Sequence, residues 1–133
     1  MRPYEYGDEL ADEEYVLALY RVAARTRIRT GRSAGPAAGS GPLERYADGG
    51  AMRAVLRRLG ARSLPTLVRY EPDVDDTTRI KGSAVAALVR EIEQVDLARL
   101  PEGERALLRV LLDWGRRASA ESGALRISID GPV

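Results

Sequence analysis

The sequence predicts a single-domain α+β protein, and three observations support this prediction. Segments in which apolar and polar residues alternate, as in β-strands, occur near both ends of the chain and in its middle. The last third instead has apolar residues at helical spacing. Hydrophobic residues make up 44% of the chain and charged residues 31%, which is typical of a folded domain rather than a disordered one.

We therefore expect one domain over residues 1–133. Its predicted core is a small antiparallel or mixed sheet of about four strands, packed by two antiparallel C-terminal helices and one central helix. Because phenylalanine is absent, the interior must be built from Leu, Val, Ile and Ala, with a few tyrosines near its margin.

The N-terminal part of the chain fits two structures. Asp12 can cap a helix whose last turn is rich in arginine, which favours a helix. The following residues alternate, however, and several are β-branched, which favours a strand from about Leu19 to Thr30. One side of this strand would be formed by Val22, Ala24, Thr26, Ile28 and Thr30. Both interpretations stay open for residues 15–30.

The middle of the chain begins with a segment rich in glycine, proline and alanine, residues 31–42, which predicts a flexible surface loop. Residues 43–47 and 51–59 are predicted to be helical, and Gly60 is a suitable C-cap. A strand is predicted over residues 64–71. It would form a hairpin with a short strand over residues 77–80, across an acidic turn.

The last third has the clearest periodicity. Ser83 is expected to cap a helix over residues 84–97, and Pro101 to begin a second helix that continues toward Ala120. Residues 125–129 alternate as a final strand. The predicted order of elements is therefore β–α–β–β–α–α–β.

Over residues 64–130 this order resembles that of small uncharacterised α+β proteins of GC-rich bacteria. The likeness lies in a strand hairpin with an acidic turn, two antiparallel helices and a closing strand. It implies the α+β fold and a bacterial source, and it assigns no catalytic residue. A GC-rich genome would also account for part of the excess of arginine.

Composition argues against several function classes. The chain has no histidine and no cysteine, so the commonest general base, the thiol nucleophile and the usual zinc ligands are missing. A net charge of +1 gives no bulk attraction to nucleic acid or to an acidic membrane. No apolar run approaches the ~20 residues of a membrane span, and the first residues lack a secretory signal. We expect a cytoplasmic protein without metal or cofactor.

Two segments have the residue types of a ligand site without its motif. The acidic turn, residues 71–78, is rich in carboxylate and hydroxyl oxygens but lacks the glycine and glutamate of an EF-hand. The glycine-rich loop lacks the Gly-Lys-Ser/Thr sequence of a phosphate-binding loop. A solvated turn and a linker are the simpler interpretations, and we predict no catalytic or metal-binding residue.

The candidate binding residues are arginines. On a strand, alternating arginines would form a ladder that grips phosphates or an acidic protein surface. Arginines of the central helix and of the residues just after it would extend this ladder if the two elements were neighbours, namely Arg53, Arg57, Arg58 and Arg62. The alternative is a solvated face that pairs with the acidic N-terminal residues of the same chain. The candidates are Arg21, Arg25, Arg27, Arg29, Arg32, Arg53, Arg57 and Arg58.

These observations predict a non-enzymatic interaction protein, of an accessory, regulatory or immunity type, that binds another macromolecule through segregated charges. A protein partner is expected, and no membrane. One alternative is nucleic-acid binding through the arginine ladder. Another is a cofactor-independent isomerase or lyase, with arginines that converge on a carboxylate around a small anionic substrate. A homodimer through an edge strand or an apolar helix face is also compatible with the pattern.

Overall fold

A computed structural model describes residues 14–22, 41–121 and 123–132, and the fold is given for these residues. The strands are β1 (Val16–Arg21), β2 (Gly41–Ala47), β3 (Thr77–Ile80) and β4 (Leu125–Asp130). The helices are α1 (Ala51–Ser63), α2 (Pro65–Arg69), α3 (Ser83–Glu93) and α4 (Glu102–Ala120), with a 3₁₀ turn at Leu97–Arg99 between α3 and α4.

The four strands form one antiparallel sheet in the order β2-β1-β4-β3. In the two central strands every second side chain is buried, and Leu17 lies opposite Ile129 while Leu19 lies opposite Ile127. These residues join the buried faces of the helices in a single hydrophobic cluster. The α+β class and the four-stranded sheet predicted from the sequence are therefore confirmed.

The N-terminal strand begins earlier in the chain than predicted. Residues 16–21 are extended and pair on both sides, so a helix that starts at Asp12 and runs through them is wrong. The alternation holds from Val16, where Leu17 and Leu19 point into the core. The remainder of the predicted strand, from residue 23, and most of the predicted loop lie outside the described residues, although Gly41 and Pro42 already belong to β2.

Two other segments differ from the predicted secondary structure because of their tertiary contacts. Residues 43–47, predicted to be helical, belong to β2 because their backbone groups pair with β1. Residues 64–71, predicted to be a strand, instead contain the short helix α2. Pro65 presets the dihedral of its first residue, and Glu91 of α3 caps it by accepting hydrogen bonds from the Thr66 amide at 2.9 Å and from Thr66 Oγ1 at 2.7 Å.

Strand β3 is present as predicted, but the hairpin with residues 64–71 is wrong because β3 pairs with β4. The acidic turn before β3 forms backbone hydrogen bonds with the residues that follow β4. Gly131 N donates to Asp76 O at 2.8 Å, and Asp75 N donates to Pro132 O at 2.8 Å. Long-range pairing, which a local pattern does not encode, therefore decides the partner of β3.

Helices α3 and α4 follow the predicted periodicity, although α3 ends at Glu93, earlier than predicted. They run antiparallel: Val89 packs at Gly115, while Val85, one turn earlier in α3, lines the same cleft as Ala118 of α4. The N-cap position of α3 is Gly82, and Ser83 makes no capping hydrogen bond. In the part of the chain that the structure describes, no helix combines the length and apolar character needed to cross a membrane.

Helix α1 is kinked at Gly60, where the sequence predicts its C-cap, and it continues to Ser63. Gly60 has a φ of 68°, a conformation that side-chain-bearing residues rarely adopt, and the chain turns there toward α2. Both edges of the sheet are poor templates for another strand. Edge strand β2 carries Pro42 and a bulge between its pairs with Leu19 and Tyr20, and β3 has four residues. These features disfavour a homodimer formed by edge pairing.

Candidate functional site

A groove of about 670 Å³ lies between the C-terminal half of α1, the start of α2, the end of α3 and the 3₁₀ turn. Apolar side chains form much of its lining, namely Leu59, Pro65, Ala87, Val95 and Leu100. Four arginines also line it: Arg58, Arg62, Arg90 and Arg99. The groove thus combines an apolar surface with cationic groups from three separate elements.

The four arginines of the groove differ in how they are held. Arg58 makes two hydrogen bonds to Glu104, at 2.7 and 3.0 Å, and Arg99 lies 3.4 Å from Asp96. Arg62 and Arg90, by contrast, form no ion pair with any residue that the structure describes. Because both are exposed, their guanidinium groups are available to an anionic ligand.

The Arg58–Glu104 pair connects the lining of the groove to α4. Glu104 is 5% exposed, in the first turn of α4, where a carboxylate also interacts favourably with the helix dipole. The hydrogen bonds from Arg58 to Glu104 raise the pKa of Arg58, so its charge is maintained. Removing either partner would leave the other without its counter-charge. We therefore assign Arg58 primarily a structural role in the groove.

The carboxylates of the groove are engaged with the protein itself. Both oxygens of Glu91 accept hydrogen bonds from Thr66, and Asp96 faces Arg99. A general base needs an oxygen directed at the substrate, and both oxygens of Glu91 are engaged, whereas Asp96 is exposed and contacts Arg99 through Oδ2 alone. The lining of the groove therefore has four arginines and one carboxylate, that of Asp96, with an oxygen that no described residue engages.

The arginines predicted from the sequence are dispersed. Arg21 ends β1 and pairs with Glu121 at 3.1 Å, just beyond α4, whereas Arg58 pairs with Glu104 in the first turn of that helix. Seventeen helical residues span about 25 Å, so the structure does not bring Arg21 next to Arg58. Arg57 is exposed on α1, and Arg25, Arg27, Arg29 and Arg32 lie outside the described residues.

Arg53 belongs to a cluster at the other end of β1. Its Nη2 donates to the Tyr15 hydroxyl at 3.2 Å, and that hydroxyl donates to Glu71 Oε2 at 2.6 Å. Tyr15 is fully buried. Burial, reinforced by the hydrogen bond to Glu71, raises the pKa of Tyr15 to about 12 from the ordinary value of 10.0. This cluster connects β1, α1 and the segment after α2, so Arg53 has a structural role.

Tyr15 should make the free energy of unfolding depend on pH in the alkaline range. Because its pKa is higher in the folded than in the unfolded chain, its contribution is complete below the unfolded value of 10.0 and is lost as the pH rises through about 12. Two pKa units correspond to about 3 kcal/mol. We expect Tyr15→Phe to remove this component, so that the free energy of unfolding of wild type, relative to that of the variant, falls between about pH 9 and pH 12.

The measurement is urea unfolding of both proteins across that range. Tyr46, whose pKa is also raised by burial, is present in both and therefore cancels in the difference. If the difference in free energy of unfolding between wild type and Tyr15→Phe does not change with pH, the raised pKa of Tyr15 is contradicted.

Sequence reasoning missed Arg90 and Arg99 as site residues. Arg58 and Arg62 lie on either side of the kink at Gly60, so helical periodicity alone does not place them on one face. Arg90 and Arg99 belong to elements more than twenty residues later, and no local pattern connects them with α1. Only the packing of α3 beside α1 and α2 brings the two pairs together.

The described residues contain no group of three or more acidic side chains that could hold a metal ion. No protein-family model, curated protein or solved structure matches the chain. The function must therefore be inferred from the chemistry of the site itself.

Proposed function

We propose that this chain is a non-enzymatic interaction protein that binds an acidic segment of a partner protein in the groove between α1, α2 and α3. The observation that carries the proposal is the juxtaposition of an apolar lining with Arg62 and Arg90, which form no ion pair with a described residue. Arginine is enriched at protein interfaces, where its planar group can hold a carboxylate through two hydrogen bonds.

The lining of the groove supports a peptide segment as the ligand. Leu59 and Val95 can contact apolar side chains of the segment, while the arginines contact flanking carboxylates. Recognition of acidic motifs by arginine clusters is a recurrent mode of peptide binding. The charges would also accelerate and orient association, since electrostatic complementarity contributes to association rate and specificity.

The volume of the groove also falls within the range of small-molecule sites, which keeps the isomerase or lyase hypothesis as an alternative. The engagement of both Glu91 oxygens with Thr66 favours binding over catalysis. Under the alternative, a small dicarboxylate would bind the groove and be converted. The proposed function requires a longer ligand and no turnover.

The test uses a fluorescein-labelled peptide of leucine and glutamate residues, and a matched peptide with lysine in place of glutamate. Wild type is expected to bind the acidic peptide and not the basic one. An exposed ion pair contributes about 0.5–1 kcal/mol, so the double variant Arg62→Gln/Arg90→Gln should bind about tenfold more weakly. Fluorescence anisotropy measures the affinity.

The matched control is Arg45→Gln/Arg79→Gln, which removes the same charge from the opposite side of the sheet and should leave peptide binding unchanged. Equal affinity of wild type and the Arg62/Arg90 variant for the acidic peptide would refute the proposal. So would equal binding of the basic peptide, or turnover of a dicarboxylate that competes with the peptide.

A further inference from the structure

The face of the sheet opposite the hydrophobic core presents an ordered row of side chains. Across the register of the four strands, Arg45 lies beside Ala18, Ala18 beside Ser128, and Ser128 beside Arg79. Neighbouring strands are about 4.8 Å apart, so the Cα atoms of Arg45 and Arg79 are about 14 Å apart. A depression of about 250 Å³ lies over the two small residues between them. We call this surface the open face.

A second row of the open face pairs Tyr20 of β1 with Arg126 of β4. The Tyr20 ring borders the depression. The Nε atom of Arg126 is buried and has no hydrogen-bond partner among the described residues. A buried donor without an acceptor costs free energy, and no described residue commits this nitrogen to an internal partner.

The charges of the open face are unbalanced. Arg45, Arg79 and Arg126 are opposed by one carboxylate among its described residues, that of Asp130, which accepts a hydrogen bond from Thr77 Oγ1 at 2.7 Å. The arginines come from both edge strands and from one central strand. Positive potential therefore extends across the width of the sheet rather than lying at a single point.

The aliphatic residues that line the depression of the open face are small, namely Val16, Ala18 and Pro42. Protein partners are usually held by large apolar or aromatic anchors in pockets, and this surface offers little for such anchors to contact. Phosphates need only cationic side chains, and an unpaired base can stack on a tyrosine ring or on a guanidinium plane. A nucleic-acid strand fits both properties of the surface.

We propose that the open face binds single-stranded nucleic acid, with phosphates at Arg45 and Arg79 and a base stacked beside Tyr20 and Arg126. This proposal concerns a different surface from the groove and does not depend on it. It also differs from the ladder predicted from the sequence, since none of these arginines belongs to that set.

The test measures the anisotropy of fluorescein-labelled oligo-dT and oligo-U with the full chain, over a series of salt concentrations. Wild type should bind, with an affinity that falls as salt rises. The triple variant Arg45→Gln/Arg79→Gln/Arg126→Gln should bind more than tenfold more weakly. The slope of log affinity against log salt should decrease by about 0.7 for each phosphate that no longer meets an arginine.

Two further variants separate phosphate contact from stacking and from general charge. Tyr20→Leu should weaken binding several-fold with an unchanged salt slope, whereas Tyr20→Phe should retain affinity. The groove variant Arg62→Gln/Arg90→Gln, which removes two arginines elsewhere, should bind oligonucleotides as wild type does. If the triple variant does not fold, the pair Arg45→Gln/Arg79→Gln, whose side chains are exposed, tests the same contacts.

The proposal is overturned if wild type does not bind either oligonucleotide at about 50 mM salt. It is also overturned if the open-face variants bind as tightly as wild type, or if duplex DNA binds as tightly as the single strand. Binding of an acidic peptide or of anionic phosphatidylserine vesicles through the same arginines, without oligonucleotide binding, would assign the surface to a different partner.

Discussion

Replacing Asp48 with alanine is expected to destabilise the folded protein by about 3–5 kcal/mol, which is large for a single substitution. The Asp48 carboxylate accepts three backbone hydrogen bonds, from Tyr15 N at 2.7 Å, Gly50 N at 3.1 Å and Met52 N at 2.6 Å. It therefore joins the beginning of β1 to the first turn of α1.

The size of this effect follows from burial. Tyr15 and Met52 are fully buried and Asp48 is 7% exposed, so water cannot readily replace the carboxylate as acceptor. Each buried donor without a partner costs about 1–3 kcal/mol, and hydrogen bonds to a charged acceptor are at the strong end of the range. Alanine also leaves the N-terminus of α1 without its side-chain acceptor.

Urea unfolding of Asp48→Ala and Asp48→Asn measures the loss of stability. Asparagine keeps one acceptor oxygen at nearly the same volume, so it should recover about half of that loss. A decrease below about 1 kcal/mol for alanine would show that the three amides find other acceptors.

The second large effect is expected at Gly115, where α4 packs against α3. A Cβ atom at this position would overlap Cγ2 of Val89. Alanine is favoured over glycine in a helix by up to about 1 kcal/mol, but overpacking a tight contact costs about 1–3 kcal/mol. Because the steric cost is larger, Gly115→Ala should destabilise the protein by about 1–2 kcal/mol.

Two comparisons isolate the contact. In the background of Val89→Ala, which removes the overlapping methyl, Gly115→Ala should become neutral or stabilising. Gly103→Ala, also in α4, meets open space and should stabilise the protein by up to about 1 kcal/mol. Thermal and urea unfolding of the four proteins of the cycle provide the coupling. Destabilisation by Gly115→Ala that persists without the Val89 methyl would contradict the steric explanation.

The elements that could be predicted are those with a regular pattern of apolar and polar residues along the chain. Helix α4 has a stripe of buried residues, among them Leu107, Leu111 and Trp114, and its periodicity is evident over nineteen residues. Strand β4 alternates strictly between buried and partly exposed residues. Short segments without such a regular pattern, namely α2 and β2, are harder to predict, since one or two helical turns, or a few strand pairs, carry too little information to outweigh tertiary contacts.

Strand β2 illustrates this competition. Its sequence, with Glu44 and Arg45 beside Leu43, suits a helix as well as an edge strand. Pairing with β1 and contacts to α4 favour the strand. Glu44 accepts hydrogen bonds from Arg117 Nη1 at 2.6 Å and from Trp114 Nε1 at 2.8 Å. These two hydrogen bonds lower the pKa of Glu44. Both partners lie about seventy residues later in the chain.

For the candidate sites, the sequence predicted that arginine side chains would bind the ligand, and Arg58 is a predicted residue that lines the groove. It did not indicate the groove or the open face, because each gathers residues from three or more elements. The row from Arg45 to Arg79 exists only after β1 and β4, from opposite ends of the chain, have paired at the centre of the sheet.

The amino-acid sequence by itself determined the α+β class, the two long helices and the final strand, because each follows from composition or from short-range periodicity. The tertiary structure alone decided which arginines are committed to internal carboxylates and which face a groove or an open sheet. That division depends on strand register and helix packing, which bring together residues whose separation along the chain no local pattern records.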